Sequence, residues 1–382
     1  MTLLGWLVIG FCVAVVVGSL DSLLGLRRLA RLSESAPVTG AGPRVSIVVA
    51  ARNEERAVEA GMRSLLAQQY PALEIVAVDD RSTDTTGAIL TRLARGEPRL
   101  RVLHVAELPS GWLGKNHALA LGARAASGEW LLFTDADVVM RPDTLARAIG
   151  HAERAQRDFV TVLPDFILPG ALLRSFGVAF VIWFGSLIRP WKARDPKSWF
   201  FIGVGAFNLV RASAYARAGG HERIRLRPDD DLKLGKILKR SGARCDALTG
   251  HGLVSVAWYH SLRETIDGLM KNAFSAVEYQ PVLMVGGAAL IVLIGVGPLA
   301  LALVGEGVVA IAGWVTVVCQ LVIHAIVSGE TGVPKRAALL YPAAALLIAW
   351  ILLRAMTLNL WEGGVRWRGT FYPLSELRKN RV

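Results

Sequence analysis

Trp130-Leu131-Leu132-Phe133-Thr134-Asp135-Ala136-Asp137 is an apolar run that stops on two carboxylates separated by one small residue. A short apolar run of this kind reads as a strand of a parallel sheet, buried on both faces, whose C-terminal end lines the ligand crevice. Two carboxylates placed there repel each other and lose hydration unless a cation sits between them. A hard divalent ion, held by one or two carboxylates together with substrate phosphates, resolves that conflict. Asp-x-Asp alone is weak, because surface loops produce it often. The neighbouring sequence makes it informative.

Arg44–Ala50 is a β-branched run ending in Ala51-Arg52-Asn53-Glu54-Glu55, and Val58, Met62, Leu65 and Leu66 then keep helical spacing until Pro71. Leu73–Val78 gives a second strand that closes on Asp79-Asp80-Arg81-Ser82, followed by a helix with polar caps over Thr83–Arg95. Arg101–Val105 is a third strand, and Lys115–Ser127 an Ala-rich helix stopped by Gly128. Strand and helix alternate at short intervals. The expected fold class is therefore α/β, a mostly parallel Rossmann-like sheet with covering helices.

The chain is 53% hydrophobic with a mean hydropathy of +0.42, and the excess is concentrated at its two ends. Leu3–Leu20 carries no charge and is long enough to cross a bilayer; Arg27, Arg28 and Arg31 place the next segment of chain in the cytoplasm. With no basic region before the run and no small-x-small site after it, residues 1–24 read as an anchor and not as a cleaved signal. Pro281–Val304 and Val308–Ser328 are uncharged and long enough to span, and Ala337–Leu353 is marginal. The expected organisation is a catalytic domain over 44–280, membrane helices over 281–357 and a basic tail over 358–382. Ala171–Ile188, interrupted by Arg174, and Thr265–Tyr279 read as helices lying in the membrane interface. Gln320 and His324 read as groups paired inside a helix bundle.

The formal net charge of +12 suits nucleic acid or anionic lipid, and the candidate spans favour lipid. Arg189, Lys192, Arg194 and Lys197 flank Trp191 and Trp199, a composition that suits headgroups. An integral protein of a bacterial inner membrane, with a cytoplasmic catalytic domain and no nucleic-acid partner, is expected. Cys12, Cys245 and Cys319 form no ligand pair, which excludes a disulfide framework and a zinc site. One conflict stands. An outside N-terminus and four crossings leave the C-terminus outside, yet Arg366, Arg368, Arg378, Lys379 and Arg381 favour inside.

Polar clusters mark the strand ends and loops of the middle segment. Asp79 and Asp80 are placed to accept hydrogen bonds from ribose hydroxyls or a base edge, and equally to cap a helix or form a salt bridge. Gly111-Trp112-Leu113-Gly114-Lys115-Asn116 resembles a phosphate loop, although Pro109 holds the first glycine position and Asn116 the place of the magnesium-binding Ser or Thr. A lysine at a helix start still suits a diphosphate. Asp229-Asp230-Asp231 precedes an amphipathic helix, either as a cap favoured by the helix dipole or as the source of a general base.

In their order these clusters resemble the family 2 glycosyltransferases of GT-A fold, over about Val45–Gln280. The resemblance implies that Val45–Glu55 is the opening strand and nucleotide loop, with Ala51, Asn53 and Glu54 among the donor contacts. It implies that Asp79 and Asp80 meet ribose and uracil, Asp80 on the base, and that Lys115 faces the diphosphate. Asp135-Ala136-Asp137 would be the D-x-D motif binding Mn2+ or Mg2+, with Asp137 the more direct ligand. Gly203-Val204-Gly205-Ala206-Phe207 is similar to the glycine-rich acceptor segment. Asp230-Asp231 followed by Leu234-Gly235 is similar to the E-D-x-x-L-G motif with Asp for Glu, and makes Asp231 the general base beside Asp230.

The bracketing spans resemble the membrane-bound branch that glycosylates lipids: ceramide glucosyltransferases and hopanoid- or carotenoid-associated transferases. Trp367-Arg368-Gly369-Thr370-Phe371-Tyr372 is similar to the W-R-G-x-x-Y tail of that branch. The Q/R-x-x-R-W motif of processive synthases and ceramide enzymes is missing at Gly268–Phe274, which weakens a polymer synthase reading and leaves the second cationic contact of the diphosphate unassigned, with Lys271 and Arg263 as candidates. The activity so implied is inverting transfer of a sugar from a nucleotide-diphosphate donor, a UDP-sugar, to a lipid hydroxyl at the cytoplasmic face. The alternatives are a processive polysaccharide synthase and a catalytically silent scaffold.

Overall fold

The β-branched runs pair with one another and bury both faces. In the computed structural model, which describes residues 2–40 and 42–382, the sheet comprises β1 (Ala30–Arg31), β2 (Val45–Ala51), β3 (Leu73–Asp80), β4 (Leu100–Val105), β5 (Trp130–Asp135), β6 (Phe159–Leu163), β7 (Asn208–Arg211) and β8 (Cys245–Thr249). Their spatial order is β1-β8-β6-β7-β5-β2-β3-β4. Neighbours run parallel except at β7, which lies antiparallel between β5 and β6. The register sets Ala50 opposite Asp135 and Ala51 opposite Asp79, so the polar ends of β2, β3 and β5 share one edge. Ligands bind outside that edge in open α/β sheets.

Helices Gly114–Ala125 and Asp230–Arg240 cover the sheet. Leu119, Leu234, Ile237 and Leu238 pack with Val48, Leu131, Phe133 and Val210 in one buried cluster. Full burial of side chains of this size is worth ~1.5–3 kcal/mol each. Gly122 lets the first helix lie directly on Val48 and Val78, where a Cβ would collide.

The chain divides into two compact units. The unit holding the sheet comprises Leu29–Asp165, Pro190–Ala257 and Lys379–Val382. The continuous 44–280 domain expected from sequence is therefore both extended and interrupted. It gains β1 and the end of the tail, where Asn380 Oδ1 accepts from Leu226 N at 2.9 Å and Asn380 Nδ2 donates to the Arg223 carbonyl at 2.9 Å. It loses Gly170–Ile188, which is apolar nearly all round and so lacks the wet face of a helix that covers a sheet.

The second unit comprises Met1–Arg28, Phe166–Arg189 and Trp258–Arg378. Among the described residues, four of its helical segments are long and apolar enough to cross a membrane: Leu3–Arg27, Gly170–Lys192, Gly307–Glu330 and Lys335–Trp361. Two expectations need correction. Pro281–Val304 is not one helix but two, Pro281–Gly295 and Gly297–Val304. Gly295, Gly297 and Pro298 explain the break, since glycine loses the most entropy in a helix and proline lacks the N–H and crowds the preceding turn. The last span is not marginal, because the helix continues past Arg354 to cover Tyr341–Trp361. Arg354 stays inside it beside Asp267 at 3.7 Å. Gln320 donates to the Ile294 carbonyl at 2.8 Å, and buried His324 lies between Ser175 and Ser328, at 3.3 Å from each hydroxyl. These are satisfied bundle contacts, as expected.

Candidate functional site

The loops after β2 and β3 are sewn together. Asn53, at φ 53, accepts from Thr83 N on its Oδ1 at 2.8 Å and donates its own N–H to Ser82 Oγ at 3.1 Å. Glu54 N donates to Thr86 Oγ1 at 2.8 Å. Ala51 is buried opposite Asp79, which accepts from Ser82 N at 3.2 Å and lies 3.0 Å from His104 Nδ1. Asp80 is buried in a bidentate pair with Arg81 (2.8 and 3.1 Å), with Arg52 at 3.7 Å. Asp80 thus stands in a salt-bridge cluster with two guanidinium groups.

Lys115 stands in the first turn of helix Gly114–Ala125. Its Nζ lies 2.7 Å from Asp135 Oδ1 and 3.3 Å from Asp230 Oδ2. Burial opposes charge on this lysine, but Asp135, Asp230 and Asp231 outweigh burial and raise its pKa. Asn116, which breaks the phosphate-loop pattern, has a structural role. Its buried Nδ2 donates to the Ile224 and Arg227 carbonyls at 2.7 and 2.9 Å, and so ties this helix to the chain entering Asp230–Arg240.

Gly205 joins the D-x-D strand to the acidic helix. Its N–H donates to Asp231 Oδ2 at 2.8 Å, and its carbonyl accepts from Asp135 N at 3.0 Å. A Cβ at Gly205 would stand 2.5 Å from Asp135 Oδ2 and 3.5 Å from Asp231 Oδ2, so the residue fills the gap between the two carboxylates. At Gly203 a Cβ would strike the Asp231 carbonyl. Thr161 and Asn208 hold the segment by accepting from Val204 N at 3.1 Å each, while Thr134 donates to the Ala206 carbonyl at 2.7 Å. Phe207 is fully buried.

Asp229 precedes helix Asp230–Arg240 and is held by buried Arg227 at 2.9 and 3.0 Å. The three acids therefore do different work: Asp229 pairs with Arg227, Asp230 with Lys115, and Asp231 with the backbone of Gly205 and Leu232. Burial raises the pKa of Asp231, partly offset by Lys115. Burial together with the charges of Asp135 and Glu54 pushes the Asp137 carboxyl up to about 7. This is the crowding expected of carboxylates that share a cation.

Sequence reasoning missed His221. It lines the same cavity as Lys115, Asp135 and Asp231, is buried edge-on to Phe133 at 4.7 Å, and its Nδ1 lies 2.8 Å from Tyr215 Oη. Burial, with the charge of Lys115, pushes its pKa down to about 3, so the ring is neutral. The available signal was Gly219-Gly220 before it, both at positive φ (82° and 51°), which turns the chain sharply inward. The cations suggested for the diphosphate belong to the other unit, with Lys271 over the Trp367 ring at 4.4 Å and Arg263 3.8 Å from Asp267.

Residues 46–216 match the Glycosyl transferase family 2 domain. With its mostly parallel sheet and the strand-end carboxylates, the chain carries a family 2 glycosyltransferase domain of GT-A fold. Among curated relatives, it is 27% identical over 249 residues to the 4,4'-diaponeurosporenoate glycosyltransferase of Staphylococcus haemolyticus, covering 63% of this chain and 64% of that one. It is 34% identical over 236 residues to the succinoglycan biosynthesis protein ExoO of Rhizobium meliloti, covering 60% and 64%. Over 160 residues it is 34% identical to the beta-monoglucosyldiacylglycerol synthase of Synechocystis, covering 40% and 33%. The chain thus spans less than two thirds of these relatives. The mannosyltransferase PcManGT of Pyrobaculum calidifontis, solved with GDP-Man and Mn2+, shares the fold: TM-score 0.53 at 20% identity, over 93% of this chain and 99% of that one.

Proposed function

We propose that this protein transfers a sugar from a nucleoside-diphosphate donor, a UDP-sugar, to a lipid hydroxyl at the cytoplasmic face of a bacterial inner membrane. One observation carries the reading. Lys115 bridges Asp135 to Asp230, while Gly205 bridges Asp135 to Asp231, so donor-side and acceptor-side carboxylates meet in one cavity. The names of the diaponeurosporenoate and diacylglycerol relatives support the lipid acceptor.

Ala51, Asn53, Glu54, Asp79 and Asp80 form the nucleotide wall in this reading. Asp231 is the base: as the acceptor oxygen attacks the anomeric carbon, its proton passes to the Asp231 carboxylate. The bond to the diphosphate oxygen breaks with its electron pair on that oxygen, and attack from the opposite face inverts the centre. Lys115, held by Asp135 and Asp230, offers its charge to the leaving diphosphate. Asp135 and Asp137 are the oxygen donors that would hold a hard divalent cation; burial, then the charges of Asp135 and Glu54, raises the Asp137 carboxyl, a cost that a bound cation would relieve. Such an ion supplies neutralisation of the leaving group.

The division of the chain also supports a topology. Segments that leave the sheet unit and return to it cross a membrane an even number of times. Gly170–Ile188 leaves the sheet unit after Asp165 and the chain is back in it at Pro190, so on this reading the helix lies in the interface by connectivity, although its composition is that of a span. Gly307–Glu330 and Tyr341–Trp361 then suffice as a return pair, and Leu3–Arg27 makes three crossings in all. On this reading Lys379–Val382, which belongs to the sheet unit, ends on the cytoplasmic side, as the basic tail also suggests.

The test is transfer from radiolabelled UDP- and GDP-sugars by purified protein in native lipid extract, with manganese or magnesium and then with chelator. Metal-dependent label in the organic phase supports the proposal. Label in an insoluble polymer would instead favour a polysaccharide synthase, the reading to which the ExoO likeness points. Donor binding without transfer to either phase would leave the silent scaffold.

A further inference from the structure

Trp191–Phe201 takes no part in the carboxylate site. In sequence it comes directly after the apolar helix Gly170–Ile188. Lys192, Arg194 and Lys197 are exposed, and Trp199 is 92% exposed, more than any large apolar side chain on the candidate spans. The one acid, Asp195, turns its Oδ1 back to accept from Lys197 N at 2.9 Å.

This loop is nonetheless tightly held. Lys239, in the last turn of helix Asp230–Arg240, donates to the carbonyls of Ala193 at 3.0 Å, Asp195 at 2.8 Å and Phe200 at 2.7 Å, with that of Lys192 at 3.4 Å. Trp191 is buried beneath. An ammonium committed to loop carbonyls fixes the backbone while leaving Trp199 in the open. An exposed tryptophan on a held loop that also carries three exposed cations has the composition that partitions into the interface of an anionic bilayer.

We propose that Trp191–Phe201 is a docking loop for anionic phospholipid headgroups, with Trp199 entering the interface and Lys192, Arg194 and Lys197 meeting lipid phosphates. Helix Asp230–Arg240 carries Asp231 in its first turn and Lys239 in its last, so one rigid element joins the docking loop to the proposed base. The inference rests on the membrane association proposed for the chain and requires no particular sugar or acceptor.

The full chain is reconstituted in nanodiscs of phosphatidylcholine with and without phosphatidylglycerol, and tryptophan emission is compared between wild type and Trp199→Phe. The difference isolates Trp199. Quenching by lipids brominated near the headgroup, stronger with phosphatidylglycerol and weakened in the Lys192→Gln/Arg194→Gln/Lys197→Gln variant, is the expected result. A Trp199 signal quenched by aqueous acrylamide and untouched by brominated lipid overturns the proposal, as does quenching indifferent to both phosphatidylglycerol and the three substitutions. Lys239→Met, whose unfolding midpoint is measured alongside, should lower the lipid quenching by freeing the loop. Sugar transfer, read in discs supplemented with native lipid extract, separates the two readings: quenching without transfer retains the docking loop and counts against the transferase, and transfer without quenching does the reverse.

Discussion

Gly205→Ala isolates the geometry on which the proposed function depends. The added Cβ would stand 2.5 Å from Asp135 Oδ2, where ordinary contact begins near 3.4 Å, so the carboxylate must retreat by about 0.9 Å. Asp135 is not free to do so cheaply, because Lys115 holds its other oxygen at 2.7 Å. Overpacking of this size costs ~1–3 kcal/mol in stability. A misplacement near 1 Å at reacting groups costs about 10²-fold in rate. The expected outcome is a folded protein with a modestly lowered unfolding midpoint and kcat reduced about 10²-fold, read by label transfer into lipid. Gly96→Ala serves as control, since a Cβ there meets nothing within 4 Å. If Gly205→Ala turned over like wild type while Gly96→Ala did too, Gly205 would not be spacing two working carboxylates.

Asp231→Asn should cut transfer by ~10²–10⁴-fold yet leave nucleotide binding nearly intact, as read by calorimetric titration with UDP; wild-type turnover would remove the base assignment. Asp137→Ala should abolish both turnover and the metal-dependent component of nucleotide binding, and binding equal with and without chelator in wild type would contradict it. Asn116→Ala leaves two buried carbonyls without their donor, at ~1–3 kcal/mol, visible as a lowered unfolding midpoint with UDP affinity little changed. Asp246 gives a pH test. Burial raises its pKa, but the His151 hydrogen bond and the charges of Arg194 and Arg157 outweigh burial and hold it below the usual 3.8. A depressed carboxylate stabilises the fold above its unfolded pKa and loses that contribution as pH falls through the folded value. Asp246→Asn should therefore cost ~1.5–3 kcal/mol near neutrality, with the gap to wild type narrowing as pH falls below about 3.8 in thermal unfolding scans.

The strand-end chemistry was legible because a buried parallel strand has to be apolar and its ligand-facing end need not be. Leu73–Asp80 and Trp130–Asp135 announce both properties in a few residues. The acidic helix was legible for a similar local reason, acids in a first turn before an amphipathic run. The features that escaped a sequence reading were non-local. β7 has four residues, too few for a periodic signal, and its antiparallel insertion between β5 and β6 carries Gly203–Phe207 to Asp135. His221 gave no sign beyond two glycines. The unbroken apolarity of Pro281–Val304 read as one span because hydropathy does not register what proline does to a helix.

The sequence by itself determined the α/β class, the order of the polar clusters and the apolar ends, since propensity, periodicity and hydropathy act over a few residues. Tertiary structure alone decided that Lys115 stands between Asp135 and Asp230, that Gly205 spaces Asp135 from Asp231, and that Asp80 is shared with Arg81 and Arg52. Those contacts join residues up to 115 positions apart in the chain. Strand order and register set them, and both are chosen by burial summed over the whole sheet, which no local window contains.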